Sequence, residues 1–323
     1  MPLPTAVASD LPSAARDAIL AWYGEHGRPL AFRRTHDPYA ILVSEAMAQQ
    51  TQAARAAMHW QRFMERFPTV EALAAASPAD VLRAWQGLGY DRRGLALWRT
   101  ARVVVEQHDG RIPSSVAELQ ALPGIGPYTA RAVAALAFGQ PVGAVDVNVR
   151  RVLGRILAGA GADELTAPEL QRLADEAVPP DRPGDWTHAL MDVGATVCRP
   201  RGPRCDTCPA RAWCRLASQA ADHAARSAVP SALSALSAPR APRRARQRPA
   251  PPFTSTNRWL RGRILDRLRA APDGRWVVLD SAIGSHGPER VKIAVDAMAA
   301  DGLLERRVSG KPRATLRARL PLV

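Results

Sequence analysis

Apolar residues between positions 11 and 215 recur at helical spacing, as at Val81, Leu82 and Trp85, and no stretch alternates long enough to specify a sheet. Helix starts are marked as well. Ser77 precedes Pro78 and Asp80, an N-cap followed by a proline at the first helical position and an acid in the first turn. Ser115 with Glu118, and Thr166 with Glu169, match the capping box. The pattern predicts a nearly all-helical region. It breaks at 217–252, where alanine, serine and proline are interleaved with Arg240, Arg243, Arg244, Arg246 and Arg248, the composition of a flexible linker. Beyond it, 257–269 and 288–300 predict helices, and 303–308 and 314–320 predict a hairpin around Ser309-Gly310. The expected organisation is a helical domain over 1–215, a linker over 216–256 and a small winged-helix-like α+β module over 257–323.

Charge adds a partner to this picture. The chain of 323 residues carries a formal +14, but residues 1–215 hold 24 arginines against 22 acids, whereas 216–323 hold 20 basic residues against 8 acids. The tail thus supplies +12, which points to a polyanion, most simply nucleic acid, held partly by the C-terminal third. Both lysines, Lys292 and Lys311, lie in that tail and none precedes it. The N-terminus has no basic start followed by an apolar run, and no segment is apolar long enough to span a bilayer, so a cytoplasmic, nucleoid-associated monomer with no membrane partner is expected.

The four cysteines, Cys198, Cys205, Cys208 and Cys214, fall in one stretch spaced C-x6-C-x2-C-x5-C. Four soft thiolates so close together suit zinc or an iron–sulfur cluster; zinc sites usually bring two close pairs, and here there is one. Upstream, Leu119-Gln-Ala-Leu-Pro-Gly-Ile-Gly-Pro-Tyr-Thr-Ala-Arg131 places Gly124 and Gly126 between two helical stretches, where free N–H groups at a helix start can hold a phosphate. Glu45 interrupts the mostly apolar segment 42–52 and shares a helical face with Ile41, Leu42 and Ala48, so its pKa should rise with burial. Asp146 precedes a helical run, where an ordinary N-cap would explain it as well as chemistry would.

Together these segments resemble the helix-hairpin-helix DNA glycosylases, the endonuclease III superfamily. The cysteine spacing resembles their [4Fe–4S] loop, and Ser44-Glu-Ala-Met-Ala-Gln-Gln-Thr51 resembles the catalytic helix of the MutY adenine DNA glycosylases. The match spans about residues 15–215. It implies an all-α, two-lobed helix-hairpin-helix fold with a [4Fe–4S] cluster on the four cysteines, acting on double-stranded DNA that contains A:8-oxoguanine or A:G mismatches. It further implies Glu45 as the acid that protonates the adenine leaving group, Asp146 as the partner of the oxocarbenium-like sugar, and Asn148 as its hydrogen-bonding support. Tyr128 stands where the bifunctional branch carries a lysine; a phenol can assist by hydrogen bonding but cannot form an imine, so the resemblance is to the monofunctional branch. Gln50, Thr51, Leu88, Tyr90, Gly124, Gly126 and Arg33 are implied DNA contacts.

The sequence also departs from that pattern. Phe32 replaces a tryptophan, Ala48 a leucine, and His188 a glutamate or glutamine that commonly helps to read the base, and the Nudix-like C-terminal domain of the best-known members is absent. Two rival readings follow: a thymine or uracil mismatch glycosylase of the same fold, and a non-catalytic DNA-binding protein that keeps its cluster for structure. Retention of both Glu45 and Asp146 argues against the second.

Overall fold

The computed structural model describes residues 10–226, 252–309 and 315–322. Most of the expected linker and the tip of the expected hairpin lie outside the described residues. The helices of the first part are α1 (Ser13–His26), α2 (Pro38–Ala48), α3 (Ala53–Arg66), α4 (Val70–Ala75), α5 (Pro78–Ala84), α6 (Arg92–Gln107), α7 (Val116–Ala121), α8 (Pro127–Phe138), α9 (Val147–Leu157), α10 (Ala167–Glu176), α11 (Pro183–Asp192) and α12 (Arg215–Arg226). The expected all-helical character holds, since no described strand falls in this part. Starts follow the side chains that can cap them. Ser77 accepts from the Asp80 N–H with Pro78 at the first position of α5, and Thr166 with Glu169 closes a full capping box at α10.

Packing groups the chain into two compact units. Of the described residues, the first contains 10–45, 114–121 and 125–226. Its core joins Ile19 and Leu20 of α1, Val152, Leu153 and Ile156 of α9, Leu170 and Leu173 of α10, and Trp186 and Leu190 of α11.

Of the described residues, the second unit contains 46–113, 122–124, 252–309 and 315–322. Here α13 (Asn257–Arg269) and α14 (Pro288–Ala300) accompany a three-stranded antiparallel sheet of order β1 (Val277–Val278), β3 (Thr315–Arg319), β2 (Glu305–Ser309), so helices followed by a wing are present as expected. This module does not keep a core to itself. Leu260, Ile264, Leu268, Val291, Met298 and Leu316 bury one cluster together with Ala79 and Leu82 of α5 and Leu95 of α6. The apolar faces of the module are thus covered partly by α5 and α6. An apolar helix face shows that it needs a partner, but not which segment will cover it.

Candidate active site

Glu45 sits near the end of α2, whose residues Ala40 to Met47 are all buried, so the helix is enclosed on every side rather than amphipathic. The residue keeps only 7% of its surface exposed. Burial raises its pKa from 4.5 to about 7; a hydrogen bond from Tyr128 and the charge of Arg33 pull the other way, and Asp146 adds to the rise. Tyr128 stands in the first turn of α8, directly after the Gly126 cap and Pro127. Burial, then Glu45 and Asp146, push its phenol well above 10, so it remains a protonated donor. Its hydroxyl also lies 3.9 Å from the Met191 sulfur.

Asp146 does both things the sequence left open. It caps α9, with Oδ1 accepting from the N–H groups of Asn148 at 2.8 Å and Val149 at 2.7 Å. Its other oxygen accepts from the Asn148 side-chain amide at 2.8 Å, and its charge is felt at Glu45 and Tyr128. Asn148 in turn accepts from Arg151, whose Nε reaches the Cys198 carbonyl at 2.7 Å and whose Nη2 reaches Gly194 O at 2.6 Å. Gly194 permits this approach, because a Cβ there would meet the Asn148 Cβ at 2.6 Å.

Arg33 is buried beside this group rather than displayed at the surface. Both of its terminal nitrogens bond Asp192 of α11, at 2.7 and 2.8 Å, and the same carboxylate takes the Arg28 backbone N–H at 2.8 Å and side chain at 2.6 Å. Burial would raise the Asp192 pKa, but the bonds and charges of Arg33 and Arg28 outweigh it and hold the carboxyl below its usual range. A recess beside Arg33 is lined by Tyr23, Phe32, Ser44, Leu136 and His188. Burial, with Arg33 adding to it, drops His188 to about 3, so the imidazole is neutral at every working pH. Arg28, Asp192 and Arg151 were not singled out from sequence. For Asp192 the available signal was one acid in an otherwise apolar run, Ala189-Leu-Met-Asp-Val193.

The other predicted residues fall in two places. The hairpin turn between α7 and α8 needs Gly124, which has φ +77° and whose added Cβ would strike the Ala96 Cβ at 2.7 Å; Gly126 faces open space. In the second unit, Gln50 and Thr51 occupy the turn after α2, and Tyr90 is 45% exposed, while Leu88 is buried at 5%. Gln50 and Tyr90 both have positive φ, at 54° and 50°.

The cysteines follow a π-turn, Val193–Val197, at the end of α11. All four line one recess with Val152, Ile156 and Leu216, and Arg155 donates to Cys198 Sγ at 3.4 Å. Burial pushes Cys208 up to about 12 and also raises Cys205 and Cys214, so a metal must displace their protons. Among the described residues no three such ligands converge around a single ion. Four thiols lining one recess, with Arg155 beside them, are a donor set suited to a thiolate-bound metal centre.

Residues 43–180 match the HhH-GPD superfamily base excision DNA repair protein. An adenine DNA glycosylase of Mycobacterium tuberculosis is 42% identical over 303 residues, 91% of each chain, and one of Mycolicibacterium smegmatis is 37% identical over 91% of this chain and 93% of its own. The human adenine DNA glycosylase is 44% identical over 215 residues, of which this chain spans 39% of the length. Among solved structures, a thermostable thymine-DNA glycosylase superposes with a TM-score of 0.60 at 30% identity over 63% of this chain and 95% of its own. An endonuclease III–DNA intermediate shares the fold at a TM-score of 0.55, 22% identity, and 64% and 94% coverage.

Proposed function

The chain belongs to the HhH-GPD superfamily of base excision DNA repair proteins, and on that premise we propose that it removes adenine mispaired with 8-oxoguanine or guanine from duplex DNA, leaving an abasic site. The observation that carries this reading is the buried Glu45, with a pKa of about 7, hydrogen-bonded by the protonated Tyr128 and close to the helix-capping Asp146. Breaking an N-glycosidic bond needs an acid for the departing base and negative charge for the sugar cation that develops. Glu45 gives its proton to a ring nitrogen of adenine as the C1′–N9 electron pair leaves with the base. Asp146 stabilises the positive charge on the sugar, and Asn148 and the α9 amide groups hold that carboxylate in place. Water then adds at C1′ and returns a proton to Glu45. The recess lined by Phe32, Arg33 and His188 takes the base, with the neutral imidazole offering one donor and one acceptor.

The four cysteines would hold a [4Fe–4S] cluster, which supplies a rigid, charged anchor for the loop rather than a step of the reaction. Likeness to a thymine-DNA glycosylase supports one alternative, removal of a mispaired pyrimidine. Single-turnover assays on A:8-oxoguanine, A:G, T:G and U:G duplexes separate the two. Base release confined to the thymine and uracil substrates would overturn the adenine reading.

A further inference from the structure

Three consecutive residues of one turn in the second unit are each held by the C-terminal module. Arg258 at the start of α13 lies over the Tyr90 ring, its guanidinium carbon 4.4 Å from the centroid, and donates to the Tyr90 hydroxyl at 3.3 Å. Arg269 at the end of α13 pairs with Asp91, and Asp301 after α14 pairs with Arg92 at 3.1 Å. The turn needs such support. Gly87 and Gly89 have φ of +93° and +70°, and Tyr90, a bulky residue, is itself at +50°, a strained conformation that persists only where its surroundings enforce it. From the body of the unit, Arg93 completes the support by bonding Gly89 O together with Gln49 O and Thr51 Oγ1, so one guanidinium ties this turn to the Gln50 turn.

Tyr90 nevertheless stays 45% exposed, and Arg258 is exposed as well. An aromatic plane held strained, accessible and flanked by cations is built to stack on an unpaired base next to a phosphate backbone. We propose that Arg258 is a positioning residue for DNA reading: the C-terminal module uses it to lock Tyr90 in its strained pose before DNA arrives, so the tail acts on damage recognition through Tyr90 and not only through its net charge. Preorganisation is the physical gain. A tyrosine free to relax would have to be driven into this conformation at the expense of binding energy. Arginine suits the task because its plane can stack and donate at once, which a lysine ammonium cannot do.

This inference rests on the DNA-repair reading above, but its test needs no base excision. The probe is a duplex carrying a tetrahydrofuran abasic analogue, compared with the undamaged duplex, bound by the full chain and by R258A, R258K, Y90A and R258A/Y90A. The expected result is a preference for the analogue lowered about tenfold in R258A and Y90A, which is within what one base–aromatic stack contributes. R258K should not recover it, and the double variant should be no worse than Y90A, because both changes remove one interaction. Three results would overturn the proposal: unchanged preference in R258A, full recovery by R258K, or an R258A loss that persists undiminished in the Y90A background. Loss of discrimination in a protein that never releases adenine would instead refute the substrate assignment and leave this inference standing.

Discussion

The Asp192 carboxylate, with no side-chain surface left to solvent, takes both terminal nitrogens of Arg33 in a bidentate pair. Arg28 shares the same carboxylate, so one buried anion compensates two guanidiniums. Replacing it with asparagine keeps the shape and leaves both cations uncompensated. D192N is therefore expected to lose about 3–5 kcal/mol of stability, the usual cost of breaking a buried ion pair from one side. Denaturant midpoints at constant slope measure this, and a loss below about 1 kcal/mol would contradict the arrangement.

Glu45 predicts opposite effects on activity and stability. On the proposed mechanism its acid form does the chemistry, so single-turnover base release should fall as pH rises through about 7, and E45Q should be slower by on the order of a hundredfold while still binding DNA. For stability, the folded pKa of about 7 lies above the ordinary 4.5, so the native state holds a proton that the unfolded chain has lost. The stabilising contribution is complete below 4.5 and disappears as pH rises through 7, a change on the order of 3 kcal/mol. E45Q should accordingly gain on the parent protein across that window and be the more stable of the two at pH 8. Equal thermal midpoints at pH 5 and pH 8 would show that the carboxyl is not desolvated as described.

No lysine precedes residue 292, and on the proposed reading Tyr128, which cannot form an imine, stands where an amine would attack the sugar. Borohydride should therefore trap no efficient covalent complex with an abasic site, and the product strand should break only after alkali or heat. Strong trapping in protein with a blocked N-terminus and both Lys292 and Lys311 replaced by arginine would mean that another nucleophile acts.

The hairpin glycines are expected to behave differently from each other. G124A meets both a positive φ and the Ala96 methyl, so it should cost roughly 1–3 kcal/mol of stability. G126A has φ −87° and open space around it, so it should fold normally. If a phosphate approaches the start of α8, that added methyl should weaken DNA binding at unchanged thermal stability. A full-strength complex with G126A would remove the phosphate from this helix end.

Anaerobically purified protein should be brown and carry iron and sulfide, with absorbance falling on removal of the metal. Because the recess among the four cysteines is walled by Val152, Ile156 and Leu216, C208S should lower iron content and the thermal midpoint together. Stoichiometric zinc without iron would reject the cluster.

What the sequence determined by itself is local in physical origin. Caps such as Ser77 and Thr166 act on amides three residues away, Pro127 sets the first turn of α8, and Gly124 supplies a backbone angle other residues resist, so each is legible in a few consecutive letters. The clustered cysteines and the tyrosine in place of lysine are local as well, and they carried the family resemblance. Tertiary structure decided what depends on desolvation and on distant partners. Arg33 is held by an aspartate 159 positions away that no local pattern announces, and the extent of burial that sets the pKa of Glu45 is measured by no spacing rule. The C-terminal helices showed apolar faces, but only folding put Leu82 and Leu95 beneath them and Arg258 on Tyr90. A sequence states which surfaces must be covered and which charges must be paired; the three-dimensional path of the chain selects the partners.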